Sequence, residues 1–207
     1  RYSIFDWGEM PEQIKNKGFA LCATGMAFFD WLSKTETWKN TEIPEKTLYR
    51  ASAIETLNKL QKNGVRSHIV GMVDKEGEIL KPTQNKKTRS LKVSAVDVVE
   101  PDYSNNKYDY QFYQKAPTQC LIPLEVIFRF GVPKGSSLIK RASNEKYLKK
   151  LGLLEKISEG DKFPFPVIEF STKLESKDRY ISYEEAQQIA GLHDNEFRLI
   201  LNTTQLL

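Results

Sequence analysis

The chain has 207 residues, of which 40% are hydrophobic, 28% charged and 11% aromatic. These proportions supply enough apolar material for a core and exclude disordered, collagen-like and low-complexity readings. The formal net charge of +4 suits anionic small ligands and falls short of the strong, contiguous basic bias of a nucleic-acid binder.

Tyr2-Ser3-Ile4-Phe5 reads as the end of a strand, which Asp6 leaves beside Gly8. Ala20, Leu21, Ala23, Thr24, Ala27, Phe28, Trp31 and Leu32 recur at helical spacing. They predict a helix over 17–33, entered through Lys17-Gly18. Residues 34–45 are polar, contain Pro44 and read as a loop. Leu48, Ala51, Ile54, Leu57 and Leu60 predict a second helix, closed by Asn63-Gly64. A strand over 65–73, a turn at Glu76-Gly77, a short strand over 78–81, a polar loop over 82–89 and a strand over 91–99 follow.

A long Tyr/Asn/Gln-rich connection then runs from Glu100-Pro101 to Pro117. Loops of this length are commonly functional or mobile, and the boundary between two lobes, 1–100 and 101–207, is expected at its start. Cys120 to Phe130 reads as a strand in which Pro123 marks an edge or a bulge. Gly131 to Gly135 is a turn, and a helix is expected over 136–151. Val167 to Phe170 predicts a strand. Ser182-Tyr183-Glu184-Glu185 is a capping box that opens a helix ending at Gly191. Asp194 is expected to cap a last helix. Strands and helices are mixed without strict βαβ alternation, which predicts the α+β class.

The longest apolar stretch, 18–32, contains Asp30 and is shorter than the roughly 20 residues that cross a bilayer, so no membrane partner is expected. Cys22 and Cys120 read as small core residues, and sparse cysteine suits a reducing compartment; a cytoplasmic location is the expectation.

Three clusters carry candidate chemistry. In the run from Ile122 to Arg141, a strand delivers Arg129, a Gly/Pro turn follows, and Ser136 and Ser137 open a helix. A guanidinium fork beside a helix N-terminus makes an anion cradle. The competing reading is a Ser136 N-cap with Arg129 in a structural ion pair. From Ile168 to Tyr180, a strand runs into a loop with both signs of charge. There Lys173 can hold a carboxylate and Asp178 an amine. The third cluster is Asp6 with Lys17. Phosphate loops of the Walker type, Gly-x-Gly-x-x-Gly and histidine-rich metal motifs are absent, and no metal ligands are predicted.

The three clusters, in this order, resemble the SAICAR synthetase (phosphoribosylaminoimidazole-succinocarboxamide synthase) family. The family pattern has Ser-x-x-Asp, then Lys-Gly at a helix entry, Ile-Pro-Leu-Glu-Val-x-x-Arg, Gly-Ser-Leu-x-Lys-Arg, a Pro-x-x-Glu-Phe strand, a Lys and a downstream Asp. Here these are Ser3 and Asp6, Lys17 and Gly18, Ile122 to Arg129, Ser136 to Arg141, Pro166 to Phe170, Lys173 and Asp178. This chain departs from the pattern in four ways. Phe130 stands where the family has Asn. Two more residues separate the Arg from the Ser, insertions fall near 34–62 and 102–117, and the gap between Lys173 and Asp178 is one residue shorter than in some members.

The resemblance implies two α+β lobes with ATP in the cleft between them. It implies a purine-biosynthesis ligase that joins L-aspartate to carboxyaminoimidazole ribonucleotide through an acyl phosphate, with ATP and Mg²⁺ as cofactors. By resemblance, Arg129 with Ser136 or Ser137, and with Lys140 and Arg141, binds the ribonucleotide. Lys173 and Asp178 take the aspartate side, Asp6 and Lys17 lie near the cleft, and Val98, Val99 and Glu100 meet the adenine. It also places a Gly/Lys-rich strand pair before Arg1 and an Asp-x-Lys-x-Glu strand after Leu207. The expectation is therefore a chain lacking both ends that turns over little alone. The partners expected are small molecules, with a homo-oligomer left open. Two other readings stay in play: a kinase-like small-molecule phosphotransferase, and a non-catalytic nucleotide- or RNA-binding module using Tyr103, Tyr108, Tyr110 and Tyr113.

Overall fold

The structure, a computed structural model, describes residues 17–45, 47, 49–80, 88–153 and 156–207. They fall into two compact units: the described residues up to Asn40 with those of Lys59–Ala95, and those of Thr41–Asn58 with Val96–Leu207.

In the first unit, α1 (Lys17–Ser33) forms as its apolar spacing predicts. The expected loop after it contains a helical turn, α2 (Thr35–Trp38). Burial of Trp38 is the cause: the indole is 1% exposed and donates Nε1–H to the Leu32 carbonyl at 3.1 Å. The second predicted helix is α3 (Arg50–Asn63), which contributes residues to both units. Gly64 ends it with φ +61°, and a Cβ there would lie 2.0 Å from the Ser33 carbonyl oxygen. Val65 then donates to Leu32 O at 2.9 Å. That bond takes residue 65 to a helix end, so the expected strand over 65–73 shrinks to β1 (Ile69–Val73). β1 pairs antiparallel with β2 (Ser90–Val93). The expected strand over 78–81 is one bridge, Val73 to Ile79.

In the second unit, a segment expected as loop is instead paired. β3 (Asp102–Ser104) and β4 (Lys107–Asp109) form a hairpin. Asn105 and Asn106 turn it at φ 51° and 60°, the left-handed pair that a two-residue hairpin needs and that Asn tolerates. A 3-10 turn, Tyr113–Lys115, follows.

The sheet of this unit has order β5-β6-β7, all antiparallel: β5 (Leu124–Gly131), β6 (Lys162–Thr172) and β7 (Tyr180–Ile181). Pro123 stands just before β5. β6 is longer than predicted and includes Pro164 and Pro166. β7 pairs only at Phe170 and Ser171, so the start of β6 is an edge, where Pro costs no ladder bond. α6 (Tyr183–Ala190) starts at Ser182, whose Oγ accepts from Glu185 N–H, and ends at Gly191 with φ +61°. α7 (Asp194–Leu206) has His193 at the cap position, where Asp194 was expected. The Glu196 carboxylate accepts the His193 N–H at 2.8 Å. Leu124, Ile168 and Phe170 pack with Ala186, Ile189, Ala190 and Phe197 into one core.

The helix expected over 136–151 is two short ones, α4 (Ser137–Arg141) and α5 (Glu145–Lys150). Asn144 causes the break: its side chain caps α5 by accepting from Tyr147 N–H at 3.2 Å, which a mid-helix residue could not do. Among the described residues, no helix is long and apolar enough to cross a membrane.

Candidate functional site

Strand alternation puts alternate residues on opposite faces of a sheet. In β5–β6, Leu124, Val126 and Phe128 stand opposite Thr172, Phe170 and Ile168. Glu125, Ile127 and Arg129 stand opposite Ser171, Glu169 and Val167. The first face contributes the core beneath α6 and α7. The second is polar, with ionised groups from adjacent strands projecting together. Tyr180 joins it through its pairing with Ser171.

Glu169 is the centre of one end. It is 1% exposed in the middle of a strand, and a charge so placed needs partners. Arg129 Nε donates to its Oε2 at 2.5 Å, Arg141 to its Oε1 at 2.7 Å, and the Tyr147 hydroxyl donates to Oε1 as well. Arg141 also donates Nε–H to the Tyr147 hydroxyl at 3.1 Å and lies 3.5 Å above the Tyr180 ring centroid. Burial by itself would raise the Glu169 carboxyl. The hydrogen bonds from Arg129, Tyr147 and Arg141 outweigh it and hold the group below the ordinary carboxylate value. Burial, together with the same carboxylate, pushes the Tyr147 phenol far up. The network is thus two guanidiniums, one carboxylate and a neutral phenol, with one positive charge in excess.

Arg129 reaches further, donating to Ser137 Oγ at 3.3 Å. Ser137 is exposed and Ser136 is buried at 8%. Ser136 caps α4 by accepting from Leu138 N–H. The two serines therefore have different work: Ser137 meets the guanidinium, and Ser136 holds the turn. Because α4 spans five residues, little macrodipole is available there, and the positive charge beside it comes from Arg129 and Arg141. Lys140 is exposed on α4, outside this network.

At the other end, β6 runs into the loop before β7. Lys173 Nζ lies 3.4 Å from Asp178 and 3.8 Å from Glu125, all close to half exposed. Ser171 Oγ donates to Glu125 at 3.2 Å. A cavity of about 900 Å³ opens beside this loop, lined by Glu100, Tyr103, Tyr108, Lys177, Asp178 and Arg179, among others.

The Val98–Glu100 segment is pinned. Asp97 bridges Cys120 in parallel, and the Tyr113 hydroxyl donates to Val99 O at 2.6 Å. Asp6 lies outside the described residues, and Lys17 is the first residue of α1. Among the described residues, no three His, Cys, Asp or Glu side chains converge to hold a metal ion.

The structure therefore brings together Arg129, Ser137 and Arg141, and separately Lys173 and Asp178. The sequence reading missed Glu169, Tyr147 and Tyr180 as members of the site. The signal for Glu169 was present: an acid between Ile168 and Phe170 in an apolar strand has to be paired.

The family model described as SAICAR synthetase matches residues 1–206. A protein of Archaeoglobus fulgidus, provisionally named phosphoribosylaminoimidazole-succinocarboxamide synthase, is 32% identical over 201 residues, covering 97% of this chain and 51% of its own length. A phosphoribosylaminoimidazole-succinocarboxamide synthase of Thermoplasma acidophilum is 26% identical over 203 residues, 98% of this chain and 51% of its own. One of Thermoplasma volcanium is 28% identical over 193 residues, 93% and 47%. The chain thus spans about half the length of the curated relatives it matches. No solved structure matches it.

Proposed function

The chain belongs to the SAICAR synthetase family, and from that premise we propose that it serves the ATP-dependent joining of L-aspartate to carboxyaminoimidazole ribonucleotide in purine biosynthesis. The observation that carries the reading is the Arg129–Ser137 contact beside the Glu169–Arg141 network. One uncompensated positive charge, a guanidinium fork and a hydroxyl are what a sugar phosphate needs. We assign Arg129, Ser137 and Arg141 to the ribonucleotide phosphate, with Lys140 contributing charge at its rim. Ser136 acts through the turn.

The chemistry follows from the substrates. The ribonucleotide carboxylate attacks the γ-phosphorus of ATP, and ADP leaves. The aspartate amine attacks the resulting acyl phosphate; the carbon–oxygen bond to phosphate breaks, inorganic phosphate leaves, and the nitrogen gives up one proton to phosphate or water as the amide forms. Such steps need positioning and charge neutralisation, with little covalent work by the protein. In this proposal Asp178 orients the aspartate amine and Lys173 a carboxylate, exchanging their contact with each other for contacts with the substrate. Adenine meets the backbone of 98–100, whose conformation Tyr113 fixes, with ATP between two lobes. The Mg²⁺ that accompanies ATP enters as part of that substrate and would neutralise its phosphate charge. Asp6 and Lys17 complete the cleft in the same proposal.

Arg129→Ala is expected to weaken ribonucleotide binding by about 1.5–3 kcal/mol, the worth of a charge-assisted hydrogen bond. Isothermal titration with the ribonucleotide reads this directly, and unchanged affinity in a folded variant rejects the assignment.

A further inference from the structure

The loop that carries Lys173 and Asp178 is held by more than its own ends. At its base, Thr172 N–H donates to Arg179 O at 2.9 Å, and Arg179 N–H donates to Thr172 Oγ1 at 3.0 Å. Lys173 N–H donates to Pro123 O at 2.8 Å. Just beyond, Leu174 sits at φ +73°, a conformation disfavoured for any residue but glycine. A leucine remains there only where the surroundings over-determine the loop.

Those surroundings come from the β3–β4 hairpin and the residue after it. The Tyr108 hydroxyl accepts the Ser176 N–H at 2.9 Å and donates to Ser176 Oγ at 2.8 Å. The Tyr110 hydroxyl donates to Glu175 Oε1 at 2.5 Å. The Glu175 side chain is 3% exposed, and Arg179 reaches the same oxygen at 3.3 Å while its other nitrogen holds Glu185 at 2.6 Å. The Tyr108 ring is set in turn by Tyr103, with centroids 4.7 Å apart. Each tyrosine therefore fixes one residue between Leu174 and Lys177, in the middle of a loop whose charged groups are otherwise exposed.

We propose that Tyr108 and Tyr110 are positioning residues for the amino-acid substrate. The hairpin clamps residues 174–177 so that Lys173 and Asp178 face one carboxylate and one amine at a fixed separation. This rests on the reading of Lys173 and Asp178 given above.

The test uses Tyr108→Phe and Tyr110→Phe, which keep the rings and remove the hydroxyls, with Lys173→Ala alongside, each made in a catalytically active protein that contains this chain. Each Phe variant should raise the KM for L-aspartate about three- to tenfold, the worth of one or two hydrogen bonds. The kcat at saturating aspartate and the KM for the ribonucleotide should change less than twofold. Hydrogen exchange at the amides of residues 174–177 should accelerate in Tyr108→Phe. A purely structural role would instead lower kcat with KM unchanged, and would overturn the proposal. If Lys173→Ala raises the aspartate KM and neither Phe variant does, the clamp is wrong and the site reading stands. If Lys173→Ala has no effect on aspartate, the site reading itself fails. Exchange at 174–177 that is the same in Tyr108→Phe and the parent protein also refutes the clamp, whatever the kinetics.

Discussion

The two ends of the polar face of β5–β6 solve the same electrostatic problem in opposite ways. At one end a single carboxylate, Glu169, is 1% exposed and accepts from Arg129, Arg141 and Tyr147. At the other, Lys173 stands between Glu125 and Asp178 with all three groups 44–48% exposed. A buried charge network is rigid, because breaking any bond in it strands an ion away from water. An exposed pair costs little to open, because water replaces each partner. The first end is thus built to present a fixed geometry, with the outer edge of Arg129 and Ser137 available to an anion. The second is built to exchange partners. In the proposed reaction, a phosphate held throughout and an amine that arrives and leaves would call for this difference.

The comparison breaks first at Glu169. Replacing it with Ala leaves two guanidiniums packed together without their shared acceptor, and the loss of stability is expected at about 3 kcal/mol. Urea unfolding measures it. A cost below about 1 kcal/mol would mean that Arg129 and Arg141 find water easily, and the contrast between rigid and labile ends would vanish.

Acid should reach the same end by a different route. The Glu169 carboxyl is held below its ordinary value of 4.5, so the folded state binds its proton less readily than the unfolded chain. The stability that follows is fully present above pH 4.5 or so and is lost as pH falls through the lowered folded value. The urea midpoint of Glu169→Gln should therefore lie below that of the parent protein by a constant amount from pH 7 down to about 5. The gap should close only under stronger acid. A gap that closes near neutrality would contradict the sign of the shift.

Much of this was legible in the sequence, and the exceptions have physical causes. α1, α3 and α6 follow from apolar spacing and from the Ser182 and Gly191 punctuation, which are local signals. Arg129 with one of the two hydroxyls, Ser136 or Ser137, was readable as an anion-binding pair, since a strand, a turn and a helix start bring them together. The choice between Ser136 and Ser137 was not readable: it turns on which hydroxyl faces Leu138 N–H and which faces Arg129, a matter of a half-turn of backbone. The 136–151 segment carries an unbroken helical pattern, and only the side chain of Asn144, competing with the backbone, divides it. The hairpin at 102–109 was hidden because its tyrosines alternate with Asp, Asn and Lys, so no apolar period marks it; Asn105-Asn106 was the one clue. Tyr147 and Tyr180 join the site through contacts 22 residues away in sequence or across a strand pair, which no spacing rule reaches.

The smallest expected effect belongs to the labile end and sharpens the contrast most. Lys173→Ala removes a cation from two acids, Glu125 and Asp178, that are themselves half in water. Such pairs contribute about 0–1 kcal/mol to stability, so the urea midpoint should hardly move. The same change is expected to raise the aspartate requirement, because a substrate carboxylate in place of Asp178 would lose its only designated cation. A residue that matters to a ligand and not to the fold is what separates this end from Glu169, where the fold itself depends on the charge. Were Lys173→Ala to destabilise the protein as strongly as Glu169→Ala, the loop would be a structural element, and its charges would have no freedom to leave one another for a substrate.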